Sequence, residues 1–571
     1  MILWHLGNTT VRSPFRLRDG LLALNDSCLQ GNLRGEDQEK KFRDLLGKKE
    51  IVTLKEDTTY SIGRKWRSAL SKLGFIYPKL TGELSSQQDE LGQADIISKN
   101  GFRLIKAENV SGWQECFLRA LAAYYIPSIL EPRYKCNLFS PLRHTLAIML
   151  ELKKQTDDSK LNFYEMALMV QCTSSDDAVK DIVKRILEHR KKHKASSRKK
   201  AFINEALEKA AVLYDKKAHT FKDYADTNFR YIKATGLTQS KGKGIVLIPE
   251  KILFIEKLVE DVSLPKDDFH YVKTLCGGAH LPTDDKDAAM QVLLDLNKQL
   301  AKRGVKYDIP KKLEKPADIA IVRHKIEEQL SNLNELDYAE KQSSLVNEIS
   351  EYLELLIKKK HLITMPDGDT IEIPRTETPA YFEWIIWRAF LAINSLINKP
   401  WEARQFKIDQ DFLPVAPAAG NRPDMIFEFD DMVLVVEVTL ISSSRQESAE
   451  GESVRRHVAK YAIEQSKSGK RVFGLFIALA VDTNTANTFR LGEWYIKDDE
   501  KEDKKIDLHI VPVTLPDFKK IFDASKGDIT AVLPKLKDFL RDCRGYINKD
   551  APEWKNKISE LAKNTAEILK N

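Results

Sequence analysis

Between Asp424 and Glu437 the chain carries two short apolar runs, Met425 to Phe429 and Met432 to Val436, separated only by Asp430-Asp431. Apolar runs flanking two turn-forming residues predict a β-hairpin with the shortest loop. Met432 to Val436 is apolar at every position, the pattern of a central strand covered on both faces. With Asp430 and Asp431 at the tip, residues whose numbers sum to 861 oppose each other, so Asp424 and Glu437 become direct cross-strand partners. Opposed residues have Cβ atoms about 4.5 to 5.5 Å apart, and like charges there are destabilising. Two readings of the pair stay open. Either a cation sits between the carboxylates, whose hard oxygens favour Mg²⁺ or Ca²⁺ over zinc, or both are solvent-exposed strand ends beside a surface turn.

The chain around this hairpin has 571 residues, 42% hydrophobic and 31% charged, enough to bury several cores in about two to four domains. Its six cysteines stand singly, without a CxxC pair, which argues against a disulfide framework or structural zinc and predicts a reducing, cytoplasmic setting. Met1 to Gly7 lacks a basic segment leading into an apolar run, and no stretch reaches about 18 uncharged apolar residues, so neither a signal peptide nor a membrane span is expected. The net charge of +7 permits polyanion binding without demanding it. Cys276 to Pro282 (CGGAHLP) is not a phosphate loop, and no GxGxxG follows a strand, so nucleotide use has no support.

In the N-terminal half, Thr58 to Lys79 predicts a short helix with Trp66, Leu70 and Leu73 on one face, a stop at Gly74 and an aromatic strand. This is the order of a winged-helix recognition helix and wing, with Arg64, Lys65 and Arg67 near the helix start where bases and phosphates are read. Tyr224 to Leu247 repeats the order: a helix ending at Gly236, a basic turn, an apolar strand. Lys184 to Lys200 holds nine Lys or Arg against one Glu, a density that is either solvated or laid against phosphates. His189 and His193 within it are spaced i, i+4, but two imidazoles among cations do not make a metal site. From about Lys286 to Lys360, long charged helical patterns predict a linker, interrupted by Pro310 and Pro316.

Pro423-Asp424 followed thirteen residues later by Glu437-Val438-Thr439 resembles the PD-(D/E)XK nuclease signature, with Thr in place of the usual lysine. The runs FEWIIWRAF, PAAGNRPDMIFEF, VLVVEVT and ESVRRH are similar to the cleavage domain of the AlwI family of type IIS restriction and nicking endonucleases, and WHLGNTTVRSP, FRYIKATGL and the helical linker extend that resemblance over nearly the whole chain. The resemblance implies an active site of Glu383, Asp424, Glu437, Glu450 and His457. Asp424 and Glu437 would hold Mg²⁺, and Glu383 would complete the site through water. His457, expected to open a helix carrying Arg455, Arg456 and Lys460, is suited to proton transfer or to orienting water. Without the lysine, Arg455, Arg456 or the metal must neutralise charge developing on the phosphate. Arg12, Arg64, Lys65, Arg67 and Arg422 are the expected DNA contacts, an exposed loop Arg being the other reading of Arg422.

The expected architecture is therefore multidomain: a mainly helical recognition region over 1–285 with two winged-helix-like subdomains (roughly 1–105 and 106–285), a helical linker over 286–375, and an α/β nuclease domain of PD-(D/E)XK type over 376–571. The expected partners are double-stranded DNA, a second copy or small catalytic subunit for cutting both strands, and a cognate DNA methyltransferase. A strand-specific nickase or the large subunit of a heterodimeric restriction enzyme, a catalytically silent DNA-binding protein and a structure-specific repair nuclease are the alternatives.

Overall fold

The computed structural model describes residues 2–570, apart from 55–56, 58–60, 262, 365–369, 419–420, 466–468, 498–502 and 526. The chain forms two compact units, Met1–Gln329 and Leu330–Asn571. The boundary falls inside one helix of 25 residues, Pro316–Glu340. The segment expected to be a linker is shared between the units: Lys286–Lys302 buries Val292, Leu293, Leu296 and Leu300 in the first, and Val346–Ile357 packs in the second. No described helix is long and apolar enough to cross a membrane.

The first unit is mainly helical. Ile62–Lys72 forms the expected helix and buries Trp66, Ala69 and Leu70; residues 58–60 of the motif lie outside the described residues. It meets helix Glu36–Lys48 at Gly63, where a Cβ would stand 2.0 Å from the Glu39 carbonyl oxygen. Gly63→Ala must push the two backbones apart, and a loss of about 1–3 kcal/mol is expected, read as a lower urea midpoint. Among the described residues no hairpin follows this helix directly. The chain turns at Gly74, with φ +68° and no room for a Cβ beside the Leu275 carbonyl. Beyond it the backbone pairs with a distant segment: Ser98 N–H donates to the Phe75 carbonyl (3.0 Å) and Tyr77 N–H to that of Ile96 (2.9 Å). The second motif does form a helix and hairpin. Ala218–Lys233 ends before Gly236, at φ +69°, and leads into antiparallel strands Thr238–Ser240 and Gly244–Leu247. Leu161–Asn162 pairs with the other edge of Gly244–Leu247.

The second unit is built on a four-stranded mixed sheet in the spatial order Ile510–Thr514, Arg471–Ala478, Met432–Thr439, Met425–Glu428. The first three strands are parallel and the last is the antiparallel hairpin partner. The unbroken apolar run of Met432–Thr439 follows from burial on both faces. Leu434 and Val436 join the core of helix Thr378–Ile393, while Val433 and Val435 pack with Val454 and Val458 of helix Glu452–Gln465. Helix Thr378–Ile393 is buried along its whole length from Ala380 onward, as a helix apolar on nearly all sides must be. Its two charged residues, Glu383 and Arg388, are 6% and 1% exposed.

Candidate active site

Hairpin register positions the central pair. Met425 opposes Val436, Ile426 opposes Val435 and Phe427 opposes Leu434, and Phe429 N–H closes the turn on the Met432 carbonyl at 2.8 Å. The next pair along this ladder is Asp424 with Glu437. On the facing side of the sheet, strand alternation sends Glu437 and Thr439 the same way as Val433 and Val435, toward the helix that carries His457.

Asp424 is held at both its main chain and its carboxylate. Gln405 N–H donates to its carbonyl (3.1 Å), and Val438 N–H donates to its Oδ2 (2.7 Å). Glu383 reaches the same end of the hairpin from its buried helix, its Oε2 accepting from Ala418 N–H at 2.8 Å. Glu450, in the π-helical turn Glu447–Gly451, accepts from the Thr439 hydroxyl through Oε1 at 2.8 Å. His457 does not open its helix; it sits in the second turn of Glu452–Gln465, 4% exposed, with Nδ1 at 2.6 Å from Glu437 Oε1. Its Nε2 is buried and makes no hydrogen bond among the described residues.

The electrostatics join these residues into one cluster. Burial raises the Glu383 carboxyl well above its ordinary range, and Asp424 and Glu437 raise it further. Asp424 is raised by burial, then by Glu437 and Glu450. Glu437 is pushed up to about 8 by burial and by Glu450. Burial pulls the His457 imidazole down to about 4, helped by Arg456 and Lys460. Bare, the Glu437–His457 pair therefore holds its proton on the carboxyl. An array of buried and half-buried acids that raise one another is electrostatically unsatisfied, and it can bind a hard cation that takes up the charge.

The two arginines differ in what they reach. Arg455 donates to the Gly451 carbonyl (3.1 Å) and lies over the Trp494 ring. Arg456 pairs with Glu452 (3.1 Å), and its charge acts on both Glu437 and His457. Arg422 is exposed and donates to the Gln405 amide oxygen (3.3 Å); Gly420 lies outside the described residues. The other expected DNA contacts belong to the first unit. There Arg64 is exposed, Arg67 is held by Glu39 (2.8 Å), and Arg12 pairs with Asp223 (3.1 Å).

The model of the AlwI restriction endonuclease family matches residues 71–521, most of the chain and all of this cluster. The chain belongs to the AlwI restriction endonuclease family. As a member it is a restriction endonuclease, a site-specific deoxyribonuclease. Among solved structures it is similar to the small subunit (R.BspD6I2) of the heterodimeric restriction endonuclease R.BspD6I, with 25% identity over 38% of this chain and 98% of that one and a TM-score of 0.29. No curated protein matches.

In this AlwI-family enzyme several supporting residues carry no sequence signal of their own. Gln446 is fully buried. Its amide nitrogen donates to the carbonyls of Ile441 (2.5 Å) and Ala480 (3.0 Å), and its oxygen accepts from Asp482 N–H (2.8 Å). These bonds tie the ends of two parallel strands to the turn that carries Glu450. Gln405 braces both Asp424 and Arg422. A lone glutamine in a loop is indistinguishable in sequence from a solvated one, so only the tertiary contacts identify them.

Proposed function

We propose that this enzyme is a type IIS restriction endonuclease: residues of the first unit bind a short asymmetric duplex sequence, and the Asp424–Glu437 site hydrolyses phosphodiester bonds a fixed distance outside it with Mg²⁺. The observation that carries the cleavage chemistry is the pairing of half-buried Asp424 with buried Glu437, with the buried Glu383 beside them. The antiparallel hairpin, the adjoining parallel strands and a helix on each face support a nuclease core of PD-(D/E)XK type, with Thr439 at the lysine position. In the first unit, helix Ala218–Lys233 with its hairpin is the winged-helix-like element. Arg64 and Lys65 are the cations of helix Ile62–Lys72 left for DNA, since Arg67 already serves Glu39 and Lys72 pairs with Glu131.

The donor set fits Mg²⁺. It consists of hard carboxylate oxygens, the single nearby imidazole being engaged by Glu437. Among the described residues no three His, Cys, Asp or Glu side chains close around one point. Mg²⁺ is usually held by one or two carboxylates and completed by water and phosphate. Asp424 and Glu437 would be the direct ligands and Glu383 a ligand through water. When bound, Mg²⁺ polarises a phosphoryl oxygen and lowers the pKa of its water. His457 keeps Glu437 oriented through Nδ1 and shares its proton. Thr439 and Glu450 hold the end of the strand, and Arg456 supplies the positive charge that the missing lysine would give.

The hairpin signature occurs once in the sequence, and one such site cuts one strand. A double-strand break would therefore need a second cleavage domain, from another copy or a small catalytic subunit; without one the chain would nick. A cognate DNA methyltransferase would spare the host's own sites. The test is to incubate supercoiled plasmid with the protein, with and without Mg²⁺, and to sequence the product ends. Discrete ends beside one shared short sequence are expected with Mg²⁺, and open circles alone would mean nicking. No metal-dependent product on several unmethylated plasmids would leave a DNA-binding protein without catalysis.

A further inference from the structure

Several cations of the first unit are paired with acids: Arg119 with Glu115 and Asp284, Arg230 with Asp226, Arg16 with Asp19. The helix pair Val179–Ala195 and Lys199–Tyr214 departs from this. Lys191, Lys192, Lys194, Arg198, Lys199 and Lys200 are all exposed, and none forms an ion pair among the described residues. Lys184 and Lys180 continue the same helix face two and three turns before Lys191.

The charges at this corner are locally unfavourable. Helix Lys199–Tyr214 begins with Arg198 as its N-cap, has no side-chain cap and has no acidic residue in its first turn. Its unsatisfied N–H groups and the positive end of its dipole therefore meet Lys199 and Lys200, where an anion is preferred. The corner is nonetheless held rigidly. His189 and His193 stack in parallel (5° between planes) and both lie against Phe202 of the second helix, at 5.2 and 5.8 Å. The one half-buried cation of the run, Arg190, holds Glu165 through two bonds of 2.8 Å and also bonds the Lys160 carbonyl. Lys160 and Glu165 flank strand Leu161–Asn162, which pairs into the sheet of the Thr238–Leu247 hairpin.

We infer that this helix pair is a sequence-independent grip on the DNA backbone: a preformed ridge of unpaired cations, fixed to the helix-and-hairpin element, that takes duplex phosphates flanking the recognised bases. Like charges fixed side by side cost free energy in the unbound protein, and a polyanion recovers it by neutralisation and counterion release. The one exposed acid between Lys184 and Lys200, Glu188, leaves the face strongly positive. The inference rests on the restriction-endonuclease reading only for the identity of the polyanion.

The test uses the full chain with Asp424→Asn, so that substrate survives, and the same chain carrying K191Q, K192Q, K194Q, K199Q and K200Q. Binding of a 30-base-pair duplex without the recognised site is followed by fluorescence anisotropy from about 50 to 200 mM NaCl, where log K falls by about 0.9 per phosphate contact for each decade of salt. The five-fold variant should bind at least about tenfold more weakly at 100 mM NaCl, with the slope reduced by about 3. All five side chains are exposed, and an unchanged melting temperature shows that the fold is kept. Independently, acetylation of Lys191, Lys192 and Lys199 should be suppressed by duplex. Equal slopes with undiminished acetylation overturn the ridge even if the wild-type enzyme cleaves plasmid. A slope lost only for single-stranded RNA overturns duplex DNA as the occupant. Because binding is read in a cleavage-silent background, failure of the plasmid experiment does not decide this one.

Discussion

Asp424→Ala is expected to leave duplex affinity within about twofold and to lower the cleavage rate by at least about 10³-fold, the scale set by removing one group that stabilises charge only in the transition state. Asp424 is held at the end of a fixed ladder by Gln405 and Val438, so no other acid of the cluster can take its place without moving backbone. Single-turnover cleavage of end-labelled duplex separates chemistry from binding. Parallel loss of affinity would show that Asp424 supports the fold of the site, and undiminished cleavage would remove it from the chemistry. Glu437→Gln should match it in rate, since the amide keeps the shape and loses the charge.

The second large effect is on stability. Glu437 is raised from the ordinary 4.5 to about 8, so its neutral form is the one the fold accommodates. Stability from this group is fully present below about pH 4.5 and is lost as pH rises through about 8, because the unfolded chain ionises first. The second unit should therefore lose a few kcal/mol between pH 5 and 8 in chelator, most of it above about pH 6.5, because the lowered His457 offsets Glu437 below that. For a unit of its size this is about 5–10 °C in melting temperature. Mg²⁺ should restore most of that loss at pH 8 and very little at pH 5, where the carboxyls are protonated. Asp424→Asn should melt higher than wild type in chelator at pH 8 and gain little from Mg²⁺. Calorimetric scans at the two pH values decide it. A melting temperature insensitive to both pH and Mg²⁺ would mean that the cluster is hydrated and carries no strain.

What could be read from sequence divides along physical lines. The hairpin was legible to the residue because its loop is the shortest there is and the side-chain period of a strand is two: Asp430-Asp431 and the apolar runs leave one register that buries both faces. Glu383 could not be reached that way. It lies 41 residues before Asp424 on a helix of another layer, and only the family resemblance brought it to the site. Thr439 to Glu450 and the Gln446 brace depend on a π-helical turn that no periodicity announces. The first wing failed for a related reason. Phe75 and Tyr77 have the composition of a strand, but their partner is Ile96–Ser98, beyond the helical segments of Gly82–Leu91, not an adjoining return strand. A helix followed by aromatic residues specifies extended backbone without saying what it pairs with.

The tip of the hairpin is about 20 Å from the acids it aligns, six residues at about 3.3 Å each. Its two aspartates touch nothing in the site, yet the loop length alone sets which residue stands opposite Asp424. One residue more or fewer there would oppose Asp424 to Val436 or Val438 and turn Glu437 toward the other layer. The turn is thus a ruler for the chemistry: what its side chains touch, such as Lys537 at Asp431, lies outside the site, while its length is as constrained as the carboxylates themselves.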